Sequence, residues 1–151
     1  MDKQRTFVMI KPDAVQRGLI GEIINRFEKK GLKIVGLKMV SVDRELAEKH
    51  YGIHKDKPFF EPTVKYIISS PVVAMVIEGI NAIKVVRNMM GKTNPQEASQ
   101  GTIRGDYGQF IGRNIVHGSD GEDTAEFEIK LWFKPEEISN FLRIDEEWLT
   151  E

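Results

Sequence analysis

Between Pro71 and Glu78 the chain carries no polar side chain: residues 72–77, from Val72 to Ile77, are all apolar. A run this short and unbroken fits a buried central strand, and the other elements have to be arranged around it. Upstream, residues 6–10 read as a first strand, stopped at Lys11-Pro12 because proline cannot donate to a ladder. Residues 13–17 make a short helical turn closed by Gly18. A longer helix follows with Ile20, Ile23, Ile24 and Phe27 on one face and Gly31 as its stop. Residues 32–42, rich in branched side chains, form a second strand, and Asp43 caps a helix carrying Leu46, Ala47 and Tyr51. Pro58 opens another helix, with Phe60, Val64, Ile67 and Ile68 inward, and Ser69-Ser70-Pro71 breaks it.

Downstream of the apolar run, Asn81 caps a helix whose inward row is Ala82, Val85, Val86 and Met89. Arg87 sits well off that row, away from the core and free to meet an anion. Residues 91–110 read as a long irregular segment containing Pro95 and several glycines, and structureless loops of that length are usually functional. A last strand ends at His117, Asp120 caps the helix after it, and Pro135 starts a short final helix through Leu142. This order of elements predicts an α+β sandwich, a four-stranded and mainly antiparallel sheet with helices on one face.

The 151 residues suit one compact domain spanning 1–151. Lys and Arg number 22 against 23 Asp and Glu, a net charge of -1, so no global field recruits nucleic acid or membrane. Any anion site must therefore be a local cluster. With no cysteine there is neither a disulfide framework nor a thiolate metal site. The apolar run near the N-terminus is too short for a signal peptide or a membrane span, which leads to the expectation of a soluble, cytoplasmic protein.

Candidate chemistry concentrates in Asn114-Ile115-Val116-His117-Gly118-Ser119-Asp120, which puts a histidine at the end of a rigid strand. Glu128 falls in the row Ala125, Glu128, Ile129 and Trp132 that a helix turns toward its core. A carboxylate there needs a partner. His117 is the nearest candidate along the chain, and an imidazole beside a carboxylate is the usual arrangement for nucleophilic or acid/base work. Taken alone, the pair fits a satisfied core histidine better than a catalytic one. Lys11, Arg87, Arg104 and Arg113 stand at strand ends or in loops, each alone no more than a solvated charge, and together with a cleft histidine they have the composition a polyphosphate site needs. Phe59 is spare, because Phe60 belongs to the inward row, and it can offer a ring face to a base. Gly91-Lys92-Thr93 ends like a phosphate-binding loop, but Val86 stands where that loop needs its first glycine. Gly105, Gly108 and Gly112 are spaced wrongly for a dinucleotide fingerprint, and His50 and His54 read as structural.

Nearly the whole chain resembles the nucleoside diphosphate kinase family. The resemblance rests on Lys11-Pro12-Asp13-Ala14-Val15-Gln16-Arg17-Gly18, His50-Tyr51, Pro58-Phe59-Phe60, Thr93-Asn94-Pro95, Gly101-Thr102-Ile103-Arg104-Gly105-Asp106 and the block from Asn114 to Asp120, in that order. It implies a ferredoxin-like fold and transfer of the γ-phosphate of a nucleoside triphosphate to a nucleoside diphosphate through a phosphohistidine. His117 matches the phosphorylated position. Phe59 matches the residue that stacks on the base, Lys11 and Asn114 those that contact the ribose, and Arg87, Thr93 and Arg104 those that hold the phosphates. Tyr51 and Glu128 match residues that line and orient the histidine, with Ser119 beside them. The family implies hexamers or tetramers, for which residues 91–110 and the tail with Trp148 are interface candidates. Mg²⁺ is expected to arrive on the nucleotide's phosphates rather than in a protein cage, since no carboxylate cluster is present to hold it. Thr63 stands where a larger apolar residue commonly helps hold the base, and Gly121-Glu122-Asp123 replaces a more usual run after the histidine block. The competing reading is a nucleic-acid-binding module of similar element order. It lacks the aromatic strand motif and basic face that such modules use, so nucleic acid is not expected as a primary partner.

Overall fold

The computed structural model describes residues 2–151, and residue 1 lies outside the described residues. Four strands form one sheet: β1 (Lys3–Ile10), β2 (Lys33–Val40), β3 (Val72–Ile80) and β4 (Val116–Gly118). Their order is β2-β3-β1-β4, and every neighbouring pair is antiparallel. The apolar run thus lies on an interior strand, as its composition predicts.

Helices cover both faces of the sheet, not one. The reason is visible in β1, where Phe7 and Met9 point to one side and Val8 and Ile10 to the other, all fully buried. A strand apolar on both faces needs a layer against each. One layer holds α1 (Pro12–Gln16), α2 (Ile20–Lys29), α5 (Ala82–Met90) and α6 (Ile103–Tyr107), which bring Ala14, Ile23, Phe27, Val86, Met90 and Ile103 onto Val8, Ile10, Val73 and Met75. The other holds α3 (Arg44–His50), α4 (Phe60–Ile67) and α7 (Glu122–Trp132), which pack Ala47, Val64, Ile67 and Trp132 on Phe7, Met9, Ala74 and Val76.

Asp43 does cap α3, accepting from the Leu46 N–H at 2.8 Å. Several other sequence readings shift. Asn81 precedes α5 in the left-handed region at φ 51° and makes no side-chain cap bond, and Gly121 rather than Asp120 occupies the cap position of α7. The α5 face is rotated, with Ile83 and Met90 buried and Val85 and Met89 only partly so. Ile68 falls outside α4 and is 36% exposed. The segment 91–110 is not irregular throughout: Thr102 accepts from the Gly105 N–H at 3.0 Å and starts α6, a helix too short to show periodicity. Pro135 opens only a 3₁₀ turn, Pro135–Glu137. The tail beyond it is pinned instead by the buried Lys33 ammonium, which donates to the Phe141 carbonyl at 2.5 Å and to Glu146 at 3.1 Å.

Candidate active site

Strand β4 is short, and its position is set by contacts from outside the ladder. Met9 on β1 pairs with His117, and the Ser119 N–H donates to the Phe7 carbonyl at 3.1 Å. Just before the strand, the Val116 N–H reaches back to the Asn114 carbonyl at 2.8 Å, which makes a tight turn centred on Ile115. Ile115 is fully buried with φ 78°, a conformation that costs a branched residue roughly 1–3 kcal/mol. Asp13 on α1 holds it there: its carboxylate accepts from the Ile115 N–H at 3.2 Å, and the Tyr66 hydroxyl also donates to it. The Lys11 N–H takes the Ile115 carbonyl at 2.9 Å. Past His117, a Cβ on Gly118 would lie 2.6 Å from the Met90 sulfur, so glycine is what lets β4 lie close against α5.

His117 lines a cavity of about 540 Å³ between α3 and the start of α7. Its Nε2 lies 3.0 and 3.1 Å from the two carboxylate oxygens of Glu128, and the Ser119 hydroxyl donates to Glu128 Oε1 at 2.6 Å. Glu128 is only 4% exposed, so these partners are what make a buried carboxylate tolerable. Because a carboxylate only accepts, the proton of the imidazole sits on Nε2, and Nδ1 keeps its lone pair. Tyr51 lines the same cavity and meets His50 edge-on, with ring centroids 4.6 Å apart. Burial, then the Glu128 charge, pushes the Tyr51 phenol well above its usual range, so it stays a hydroxyl.

Three cations gather around this strand. The Lys11 ammonium donates to Asn114 Oδ1 at 2.7 Å, and Asn114 Nδ2 donates to the Thr93 carbonyl at 3.1 Å. Arg104, 4% exposed, donates to the carbonyls of Asn114 at 3.1 Å, Gly91 at 3.1 Å and Val116 at 2.7 Å. Arg87 donates to the Gly118 carbonyl at 3.1 Å and lines both the His117 cavity and a second one of about 850 Å³ that Thr93 and Ile111 also line. Burial, and next the Arg104 charge, lowers the Lys11 ammonium to about 8. Burial, and next Arg87, brings Arg104 down to about 10. Crowded cations of this kind favour an anion between them.

His117, Glu128, Ser119, Tyr51 and Arg87 are thus brought together at one cavity, while Lys11, Asn114, Thr93 and Arg104 form a connected bracket behind and beside it. Phe59 lies at the N-terminus of α4, half-exposed against His54 at 5.3 Å between centroids, and lines neither cavity. Arg113 is spent elsewhere, over the Tyr66 ring at 4.4 Å. Two residues of the site escaped sequence reasoning. Asp13 gave no signal, because its partner Ile115 is remote in the chain. His50 is not a bystander: its Nδ1 accepts from Trp132 Nε1 at 3.0 Å and its Nε2 lies 3.7 Å from Glu128 Oε2. Trp132 on the same helix row as Glu128 was the available clue, since a buried indole N–H needs an acceptor.

The family model for nucleoside diphosphate kinase matches residues 4–138. A nucleoside diphosphate kinase of Staphylococcus carnosus is 61% identical over 148 residues, 98% of this chain and 99% of the relative. That of Archaeoglobus fulgidus is 60% identical over 148 residues, covering 98% of each. Among solved structures, a halophilic nucleoside diphosphate kinase from Halobacterium salinarum in complex with CDP superimposes with a TM-score of 0.97 at 53% identity, over 99% of this chain and 100% of that one. A nucleoside diphosphate kinase family protein from Babesia bovis gives 0.95 at 46% identity, over 97% and 99%. With the family model over most of its length and full-length relatives of this similarity, the chain belongs to the nucleoside diphosphate kinase family.

Proposed function

We propose that His117 is the group that carries the phosphate in this enzyme. A nucleoside diphosphate kinase moves a γ-phosphate from one nucleotide to another, and the observation that carries the assignment is the orientation of the imidazole. Nε2 faces Glu128, so Nδ1 has the free lone pair in a cavity shared with Arg87. In the first half-reaction Nδ1 bonds to the γ-phosphorus, the bond to the bridging oxygen breaks, and the diphosphate leaves with that electron pair. In the second, a terminal oxygen of another diphosphate displaces Nδ1 and takes the phosphoryl group. The barrier to such transfers is mostly electrostatic. Arg87, Arg104 and Thr93 supply the field around the phosphates, Lys11 and Asn114 meet the sugar hydroxyls, and Phe59 stacks on the base. Glu128, Ser119 and Tyr51 keep the ring in place.

The oxygen donors around His117 do not make a cage for Mg²⁺, which demands near-octahedral oxygen ligands. Among the described residues the group with metal-ligand spacing is His50, His117 and Glu128, two nitrogens and one carboxylate. Mg²⁺ therefore belongs with the phosphates of the incoming nucleotide. We read residues 1–151 as one domain acting in the cytoplasm as a homo-oligomer, a hexamer or tetramer. Support for assembly comes from edge strand β2, where Leu37 and Met39 are 53% and 60% exposed, and from Trp148 in the tail, 82% exposed. Among the described residues no helix is long and apolar enough to cross a membrane. The nucleic-acid reading loses further ground, because helices cover both faces of the central strands and leave no sheet face for bases.

Intact mass after mixing with ATP and Mg²⁺ tests the assignment. The protein should gain one phosphate, lose it on addition of CDP or GDP, and gain none as His117→Ala. A phosphate accepted by His117→Ala at the unmodified rate overturns it. Light scattering that shows a monomer at micromolar concentration removes the oligomer.

A further inference from the structure

The mechanism leaves His50 unused, yet among the neighbouring rings it is the one packed closest to the reacting imidazole. Its centroid lies 4.8 Å from that of His117, with the planes at 77°, and it is 8% exposed. Its two nitrogens have unequal partners. An indole N–H can only donate, so the 3.0 Å contact from Trp132 Nε1 requires a lone pair on His50 Nδ1. In the neutral ring the proton must then be on Nε2, and burial, the largest influence on it, holds the ring neutral. Nε2 lies 3.7 Å from Glu128 Oε2, longer than a hydrogen bond but close enough for the polar N–H to feel the carboxylate charge. Glu128 therefore receives N–H or O–H dipoles from three sides: His117, Ser119 and His50.

From this arrangement we infer that His50 is a positioning residue whose tautomer is locked by Trp132, so that its Nε2–H fixes the rotation of Glu128 and thereby keeps the His117 proton on Nε2 and its Nδ1 open. The inference deepens the assignment of His117 and rests on it for the catalytic consequence, whereas the lock itself does not. It also explains why the three groups with metal spacing do not make a ready metal site. His50 Nε2 bears the proton, and its other lone pair is already given to Trp132, so the ring has no nitrogen to offer a cation.

Histidine ¹⁵N spectra of the full protein test the lock directly. His50 should show protonated Nε2 and bare Nδ1, and in Trp132→Phe it should become a tautomer mixture. A wild-type His50 protonated on Nδ1 overturns the lock whatever His117 does. The catalytic part is read from single-turnover phosphoenzyme formation alongside ADP affinity. His50→Leu should slow phosphorylation about tenfold, the weight of one contact to a charged group, and leave ADP affinity within about twofold. The His117 ¹⁵N signals should then show a share of the Nδ1–H form. His50→Gln offers an oxygen to Trp132 and an N–H to Glu128, and should recover to within about threefold of wild type. Equal rates in His50→Gln and His50→Leu, or a His117 tautomer unaltered in His50→Leu, overturn the positioning role. Loss of the phosphoenzyme label in His117→Ala is scored separately, so failure of the nucleophile assignment is distinguishable from failure of the lock.

Discussion

Raising the pH above neutrality should switch off Lys11 and stabilise the fold in the same window. Burial, and next the Arg104 charge, brings the Lys11 ammonium from its ordinary 10.5 down to about 8, with Asp13 pulling the other way. A difference of that size separates the charged and neutral forms by roughly 3 kcal/mol. Below about 8 Lys11 is protonated in the folded and unfolded chains alike, and the whole penalty of burying its charge is present. Between about 8 and 10.5 the unfolded chain holds a proton that the folded one has released, so stability climbs with pH across that interval and gains nothing more above it. Activity runs the other way. Free enzyme without the Lys11 charge loses a charged donor to the sugar hydroxyls and one cation from the field that draws in the anionic nucleotide, so kcat/KM falls as the pH rises through about 8. Bound nucleotide returns a negative charge to the cluster, which moves the limb on kcat to higher pH. The assay is single-turnover phosphoenzyme formation and urea melts from neutrality to above the ordinary lysine range, on wild type and Lys11→Met. Methionine keeps the stem and removes the charge, so the difference between the two proteins isolates Lys11 from other groups that titrate there. Opposite slopes in rate and stability support the buried ammonium. A rate limb that survives in Lys11→Met, or a stability difference flat across the window, refutes it.

Glu128→Ala should slow phosphoenzyme formation by roughly 10²-fold while nucleotide affinity holds, since an oriented acid/base partner is worth at least that much. Stopped-flow kinetics must be paired with melting curves, because Ser119 and His50 also lose their acceptor. Phe59→Ala should weaken ADP and CDP alike by roughly 1–3 kcal/mol in titration calorimetry, because every base has a π-face. Its melting temperature should barely move, the ring being half-exposed, and loss of purines alone would contradict the stacking role. Arg104→Ala strips the donors from the Asn114, Gly91 and Val116 carbonyls and should lower stability by roughly 2–4 kcal/mol in urea melts. An unchanged midpoint would show that water replaces the guanidinium there.

What the sequence made legible followed from short-range pattern. The unbroken run at residues 72–77 marked an interior strand, and the helical row holding Glu128 placed a carboxylate on a buried stripe that could only be met by a nearby group. Adjacent layers were harder. Helices were expected on one face because the order of elements does not say to which side each returns, although β1 itself carries large apolar residues on both sides. Asp13 and His50 were out of reach for a different reason: their partners lie 102 and 82 residues away, and no local period relates them. Phe59 shows the converse limit, since its spare position was read correctly from the helix pattern while the structure seats it on His54 outside both cavities.

The arrangement of those distant partners has a physical logic. A three-residue edge strand cannot hold a catalytic side chain by its ladder alone, and among the described residues β4 pairs only with β1. Its register is imposed from outside: Asp13 and Lys11 fix the strained Ile115 on one side of the turn, Arg104 clamps the carbonyls of Asn114 and Val116, and Arg87 takes that of Gly118. Apart from Asp13, each of these braces is also a cation that a phosphate attracts. For Arg104 and Arg87, stiffness of the strand and affinity for the substrate are therefore supplied by the same side chains, and an anion that neutralises the cluster also relieves the repulsion between Lys11, Arg104 and Arg87 that burial forces upon them. Binding then tightens the frame that holds His117 at the moment its Nδ1 has a phosphorus to attack.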